Sequence, residues 1–84
     1  MVFKPNTNTS TDIKLPLEAA NWDSYSVALQ LMNNNQNKVP SFNNISMITN
    51  SHSATGFQIV AWNACSTQLS YRIAVTVHVF DMKQ

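Results

Sequence analysis

The chain is short of the residues from which many folds and sites are built. It has one cysteine, Cys65, among 84 residues, so no disulfide within the chain can brace it. Its one glycine is Gly56, which excludes the glycine-rich loops that cradle phosphates. Charged residues make up 11%, against a usual share of about a quarter, and the net charge is +1. Lys4, Lys14, Lys38, Arg72 and Lys83 are scattered along the chain. Phosphate neutralisation needs basic patches, so nucleic acid is not the expected partner. No apolar run approaches the roughly 18 residues of a membrane span. Residues 1–6 contain no apolar core of a secretory signal, so export by that route is not expected. Asn8-Thr9-Ser10 and Asn44-Ile45-Ser46 fit the N-glycosylation pattern, and without a signal they read as accidental.

What is present is a modest core and a polar, uncharged exterior. Hydrophobic residues are 44% of the chain. A single domain of this size buries only about 60% of the surface its unfolded chain exposes. Without disulfides, such folds often complete their burial by oligomerising. Asn, Ser and Thr supply the exterior, which suits neutral ligands such as sugars or packing of like subunits.

Hydrophobic periodicity points to strands throughout. Tyr71, Ile73, Val75, Val77 and Val79 alternate with Arg72, Ala74, Thr76 and His78, the period-2 pattern of a half-buried strand. Residues 57–62 form a second extended run, introduced by Ala54-Thr55-Gly56 and joined to the first by a polar loop. Residues 25–32, YSVALQLM, alternate as a strand does, although Ala28, Leu29 and Leu31 also favour helix; the length between polar tracts favours strand. Residues 42–49 give another strand, with a slip in period near Asn43-Asn44 that predicts a bulge. Residues 33–38 read as a loop closed by Pro40. Ile13, Leu15 and Leu17 alternate around Pro16, which confines them to a sheet edge, and residues 18–23 read as a loop. Residues 1–14 carry no period and predict an extended arm or linker, with the folded domain at 15–84. The expected fold is all-β, about five or six short strands in a small antiparallel sandwich or a partly open barrel.

Few residues invite chemistry. The acids are Asp12, Glu18, Asp23 and Asp81, none in a recognisable catalytic motif. His52 and His78 could act as bases, but no Ser, Cys or Asp pattern marks a partner. Cys65 reads as a small half-buried residue at a strand end, since a nucleophilic thiol needs a base or a cation nearby. No enzymatic activity, metal or cofactor is expected. The candidates for binding are aromatic faces and amide-rich loops. Trp62 ends a strand beside Asn63, where a platform for the apolar C–H face of a sugar ring would sit. Trp22 and Tyr25 are further aromatic faces. His52, among Asn50, Ser51 and Ser53, and Asn35, in the tract 33–37, offer hydrogen bonds to hydroxyls. For Trp62 the competing reading is a cap on the core, and for His52 and the asparagine tract it is solvation.

A strand, a long polar loop, another strand, Thr55-Gly56-Phe57, an aromatic before a polar loop and a closing alternating strand with Tyr71 together resemble the H-type lectin family. The same pattern occurs at receptor-binding tips of some bacteriophage tail fibres. The resemblance covers roughly residues 25–80. It implies a six-stranded antiparallel β-sandwich that assembles as a homotrimer, with sugar sites between neighbouring subunits. A basic contact of the family falls on Asn44 here, Ala64-Cys65 stands where the family often has Trp-His, and Val77 where it has Trp. Specificity for N-acetylgalactosamine is therefore not implied.

The expected function is a non-enzymatic recognition module, the glycan-binding tip of a phage tail fibre. Trp62, Asn63, Asn44, His52 and Asn35 are its candidate ligand residues. The expected partners are two further copies of the chain, a cell-surface glycan or other host receptor, and other virion proteins through the N-terminal arm. The expected location is the virion, after synthesis in a host cytoplasm. The alternatives are a structural fibre component that binds protein and a free-standing cytoplasmic lectin.

Overall fold

The computed structural model describes residues 1–33 and 44–84, which form seven β-strands and no helix. They are β1 (Val2–Phe3), β2 (Thr7–Lys14), β3 (Tyr25–Met32), β4 (Ile45–Ser53), β5 (Gly56–Asn63), β6 (Leu69–Ser70) and β7 (Arg72–Val79). Three small antiparallel sheets result, in the orders β2-β5-β4, β3-β7 and β1-β6. The all-β antiparallel expectation holds. The strand number is seven rather than six, because two-residue β1 and β6 pair with each other in stretches too short to show a period.

The alternation read in residues 71–79 is set by β3. Tyr25 lies opposite Val79, Val27 opposite Val77, Leu29 opposite Val75 and Leu31 opposite Ile73. Every inward row of this two-stranded sheet is therefore apolar, and cross-strand pairs of this kind are the unit of sheet stability. That pairing also overrides the helix propensity of Ala28, Leu29 and Leu31, since residues 25–32 are strand along their whole length. The two extended runs 57–62 and 71–79 are not a pair, contrary to the simplest reading of their order. β5 is the centre of the three-stranded sheet and β7 belongs to the other. The polar loop between them carries the chain from one sheet to the next.

Side chains of both sheets meet in one hydrophobic cluster. Leu15, Ala19, Tyr25, Phe57 and Ile59 are buried at its centre, with Val27, Leu29, Val75, Val77 and Val79 packed half-buried against them. A second cluster, Phe3, Leu31, Ile45 and Ala61, continues the core towards β1, and Ile73 touches both. The aliphatic rows of β3 and β7 remain partly open to water, as the small size of the chain leads one to expect.

Residues 1–14, expected as an extended arm or linker, carry the strands β1 and β2. All eight residues of β2 pair with β5, Phe3 has no exposed surface, and the Tyr71 amide donates to the Met1 carbonyl. β2 is an edge strand whose exposed residues are polar, so its extended form is legible in Thr7 to Lys14 only through β-branched Thr and Ile. The alternation through Ile13 and Leu15 stops there. Leu15 is buried, but Leu17, beyond Pro16, is 60% exposed.

The bulge expected near Asn43-Asn44 falls partly outside the described residues, since Asn43 is not among them; a register shift is present between Asn50 and Ser53. Ser51 takes a positive φ of 54°, an uncommon conformation for a residue with a β-carbon, and the Asn50 side-chain carbonyl accepts the Ser51 N–H at 2.8 Å. Asn50 and Ser51 are consecutively exposed, which turns His52 back to the core side. A two-residue turn, Ala54-Thr55, then leads into β5. Its carbonyls are tied down by the amides of Leu15 and Ala19.

Candidate functional site

The face of the three-stranded sheet turned away from the core is a continuous surface with β5 along its middle. Asn8, Trp62 and Ser46 share its first row, Ser10, Val60 and Ile48 the second, and Asp12, Gln58 and Asn50 the third. Lys14, Gly56 and Ser53 close it. Strands rise about 3.3 Å per residue, so Trp62 and Gly56 stand about 20 Å apart. Trp62 is 40% exposed and is flanked on both sides by small polar residues. An aromatic face set among amides and hydroxyls is apolar in the middle and wet at its rim.

At the other end of this face is an open hollow of about 340 Å³. Asp12, Lys14, Ser51, Ser53, Thr55 and Gln58 line it, with Gly56 and the strand segments at Ile13 and Phe57, whose side chains turn to the core. Gly56 is required by close approach. A β-carbon there would run into the backbone carbonyl of Ile13, so the strand passes at a point where only glycine fits. The Ser53 hydroxyl donates to the Gly56 carbonyl at 3.2 Å and lies 3.2 Å from the Thr55 hydroxyl. Among the described residues the ion pair formed is Lys83 with Glu18, at 3.3 Å; Asp12 and Lys14 enter none.

The structure separates the residues that sequence reasoning grouped. Trp62 is on the outer face, but Asn63, the next residue, points the other way and is fully buried. Its amide nitrogen donates to the carbonyls of Phe3, Lys4 and Thr67 at 3.1, 3.2 and 3.1 Å, and its carbonyl accepts the Cys65 N–H at 2.9 Å. Asn63 thus ties the N-terminal strand to the loop after β5. Asn44 sits beside that loop, where its backbone carbonyl accepts the Ala64 N–H at 3.0 Å. His52 is in β4 rather than a loop. It stacks on Tyr25 with 5.3 Å between ring centres and 7° between planes, while its Nε2 lies 2.9 Å from the Thr49 hydroxyl. Asn35 lies outside the described residues, and Asn33, at the start of its tract, accepts from Arg72 Nε through its carbonyl. Trp22 is 62% exposed in the loop before β3, away from Trp62.

Two groups among the described residues have shifted protonation. Burial pushes the Tyr25 phenol above its ordinary range. The Thr67 hydroxyl beside Cys65, 3.1 Å from its sulfur, is the first cause of a thiol pKa below the ordinary value, with the Thr67 backbone adding to it. His78 is on the outer side of β7 against Phe80, ring centres 4.9 Å apart. Among the described residues no three His, Cys, Asp or Glu side chains gather as a metal site would require.

Sequence reasoning missed the lining of the hollow. Asp12 and Lys14 were noted as charges, and Thr55-Gly56 as a strand start, but only the β2–β5 register brings them together. The chain is thus an all-β protein of small antiparallel sheets with one open, polar, aromatic-bearing sheet face. No protein-family model, no curated protein and no solved structure matches it.

Proposed function

We propose that the chain is a non-enzymatic recognition module that binds a cell-surface glycan on the outer face of its three-stranded sheet. One observation carries this reading: Trp62 is presented on the central strand between Asn8 and Ser46. Sugars offer apolar C–H faces to aromatic rings and hydroxyls to neighbouring amides and hydroxyls. The near absence of net charge supports a neutral ligand.

The finer reading is an H-type lectin-like β-sandwich at the tip of a phage tail fibre, made in a host cytoplasm and carried on the virion. The shared hydrophobic cluster of the two main sheets supports the sandwich. A homotrimer is supported by exposed Leu17, Trp22, Phe80 and Met82. These sit on two segments joined by backbone bonds, Ala20 N–H to Asp81 and Lys83 N–H to Glu18. Exposed apolar groups placed together mark association surfaces. The edge strand β2, within the N-terminal segment, is the proposed contact for other virion proteins, since an open edge accepts a further strand. A structural fibre component is the second reading, and the same exposed apolar residues favour it. Retention of the protein on host cells or their isolated polysaccharide, with trimers by light scattering, is the expected result. A clean monomer would end the trimer reading, and absence of retention on any surface would favour the structural component.

A further inference from the structure

We infer that the hollow beside Gly56 is a separate ligand subsite for a neutral pyranose, with hydroxyls of the sugar held between the Asp12 carboxylate and the Lys14 ammonium. The inference rests on the recognition reading for its biological sense and on the hollow's own chemistry for its ligand class. Asp12 and Lys14 stand two residues apart on the same side of β2, about 7 Å along the strand, and both line the hollow. Neither side chain has a hydrogen bond or ion pair among the described residues, and the side chains of Ser51 and Gln58 have none either. The hollow therefore has an open acceptor at Asp12, an open donor at Lys14, and groups at Ser51 and Gln58 that can do either.

Charge decides between ligand classes. A phosphate or other anion would gain Lys14 but meet Asp12, and a simple cation would gain Asp12 but meet Lys14. A hydroxyl both donates and accepts, so adjacent hydroxyls on one ring can satisfy the two charges together. Hydrogen bonds with one ionised partner are roughly twice as strong as neutral ones. The volume of about 340 Å³ is at the low end for small-molecule pockets, the size for one sugar unit rather than a chain. With Trp62 about 20 Å away along β5, the two places would hold separate units of one extended glycan. A zwitterionic amino acid also matches both charges and is the competing ligand.

The chain carries its own reporter. Gly56 is the sole glycine, so its backbone amide is the one glycine signal in a nitrogen–proton correlation spectrum. The labelled full-length chain is titrated with the methyl glycosides of glucose, galactose and mannose, with alanine, and with inorganic phosphate. The expected result is a saturable shift of the Gly56 amide with at least one glycoside and none with phosphate. Asp12→Asn and Lys14→Met, both at exposed positions, should keep the spectrum of the folded chain and weaken that binding at least about tenfold. A Gly56 amide that ignores all three glycosides, or answers to alanine in preference, overturns the inference, as do variants that bind like the parent. A shift confined to the Trp62 indole would overturn the subsite and leave the recognition reading standing. Silence at both positions would count against both.

Discussion

The Tyr25 hydroxyl lies 2.9 Å from the carbonyl oxygen of Gly56, and at the same distance from that of Ser53. One phenol on β3 thereby pins the β4–β5 turn, which forms one wall of the hollow. The two main sheets are joined here by a polar contact inside an apolar cluster, so the turn's geometry depends on a residue far from it in sequence.

Tyr25→Phe keeps the ring and its stacking on His52 but removes the donor. A neutral hydrogen bond contributes about 1 kcal/mol net, so the melting temperature should fall by about 4–8 °C in a chain of this length. The pH dependence follows from the raised phenol. Unfolded tyrosine loses its proton at its ordinary value near 10, before the folded residue does. The stabilisation is fully present below that value and is lost as pH rises from it through the higher value of the folded residue, because over that range the unfolded state binds fewer protons. The parent should lose stability above about pH 10, in excess of any loss in Tyr25→Phe. Equal alkaline losses in the two proteins would contradict the assignment.

Asn63→Ala should be strongly destabilising, because the buried amide is tied to both flanking segments. It removes the partner of the buried Phe3 carbonyl and of the part-buried Lys4 and Thr67 carbonyls and Cys65 N–H, and a buried unsatisfied group costs about 1–3 kcal/mol. Small domains have about 5–15 kcal/mol in total. Asn63→Asp should be nearly as harmful, since a carboxylate oxygen would face the carbonyls of Phe3, Lys4 and Thr67. Urea unfolding checks both; a loss below about 1 kcal/mol for Ala would show that Asn63 is not the tie described.

Cys65 should react faster than an ordinary exposed thiol near neutral pH, because the thiolate is the nucleophile. Its alkylation rate should rise with a midpoint below that of a free thiol, and Thr67→Val should move the midpoint upward. An unchanged midpoint would place the cause elsewhere than the Thr67 hydroxyl.

Much of the strand content was legible in the residues, and little of the pairing was. The aliphatic rows of β7 declare a strand because alternate side chains reach one core. Their partner could not be read, because Val77 meets Val27 fifty positions away. β2 reads as an arm because two of its three inward positions are Thr9 and Thr11, polar residues that an edge strand tolerates, with Ile13 the third. The candidate site divided in a similar way. Trp62 and Asn63 are neighbours in sequence, and the pleat sends one to solvent and the other to the interior. His52 sits where a loop was expected, and only the Ser51 bulge, which no residue type announces, turns it inward. The hollow required knowing that Lys14 lies opposite Gly56, a register that no local pattern encodes.

The most direct test of the account is binding of the purified chain and of Trp62→Ala to an array of bacterial surface glycans. Thermal unfolding and light scattering of both proteins serve as controls for fold and assembly. Binding by the parent, with affinity at least about tenfold lower in the variant, is the predicted result, a change of 1.4 kcal/mol or more. Equal binding by the two proteins, with fold and assembly unchanged, would contradict it.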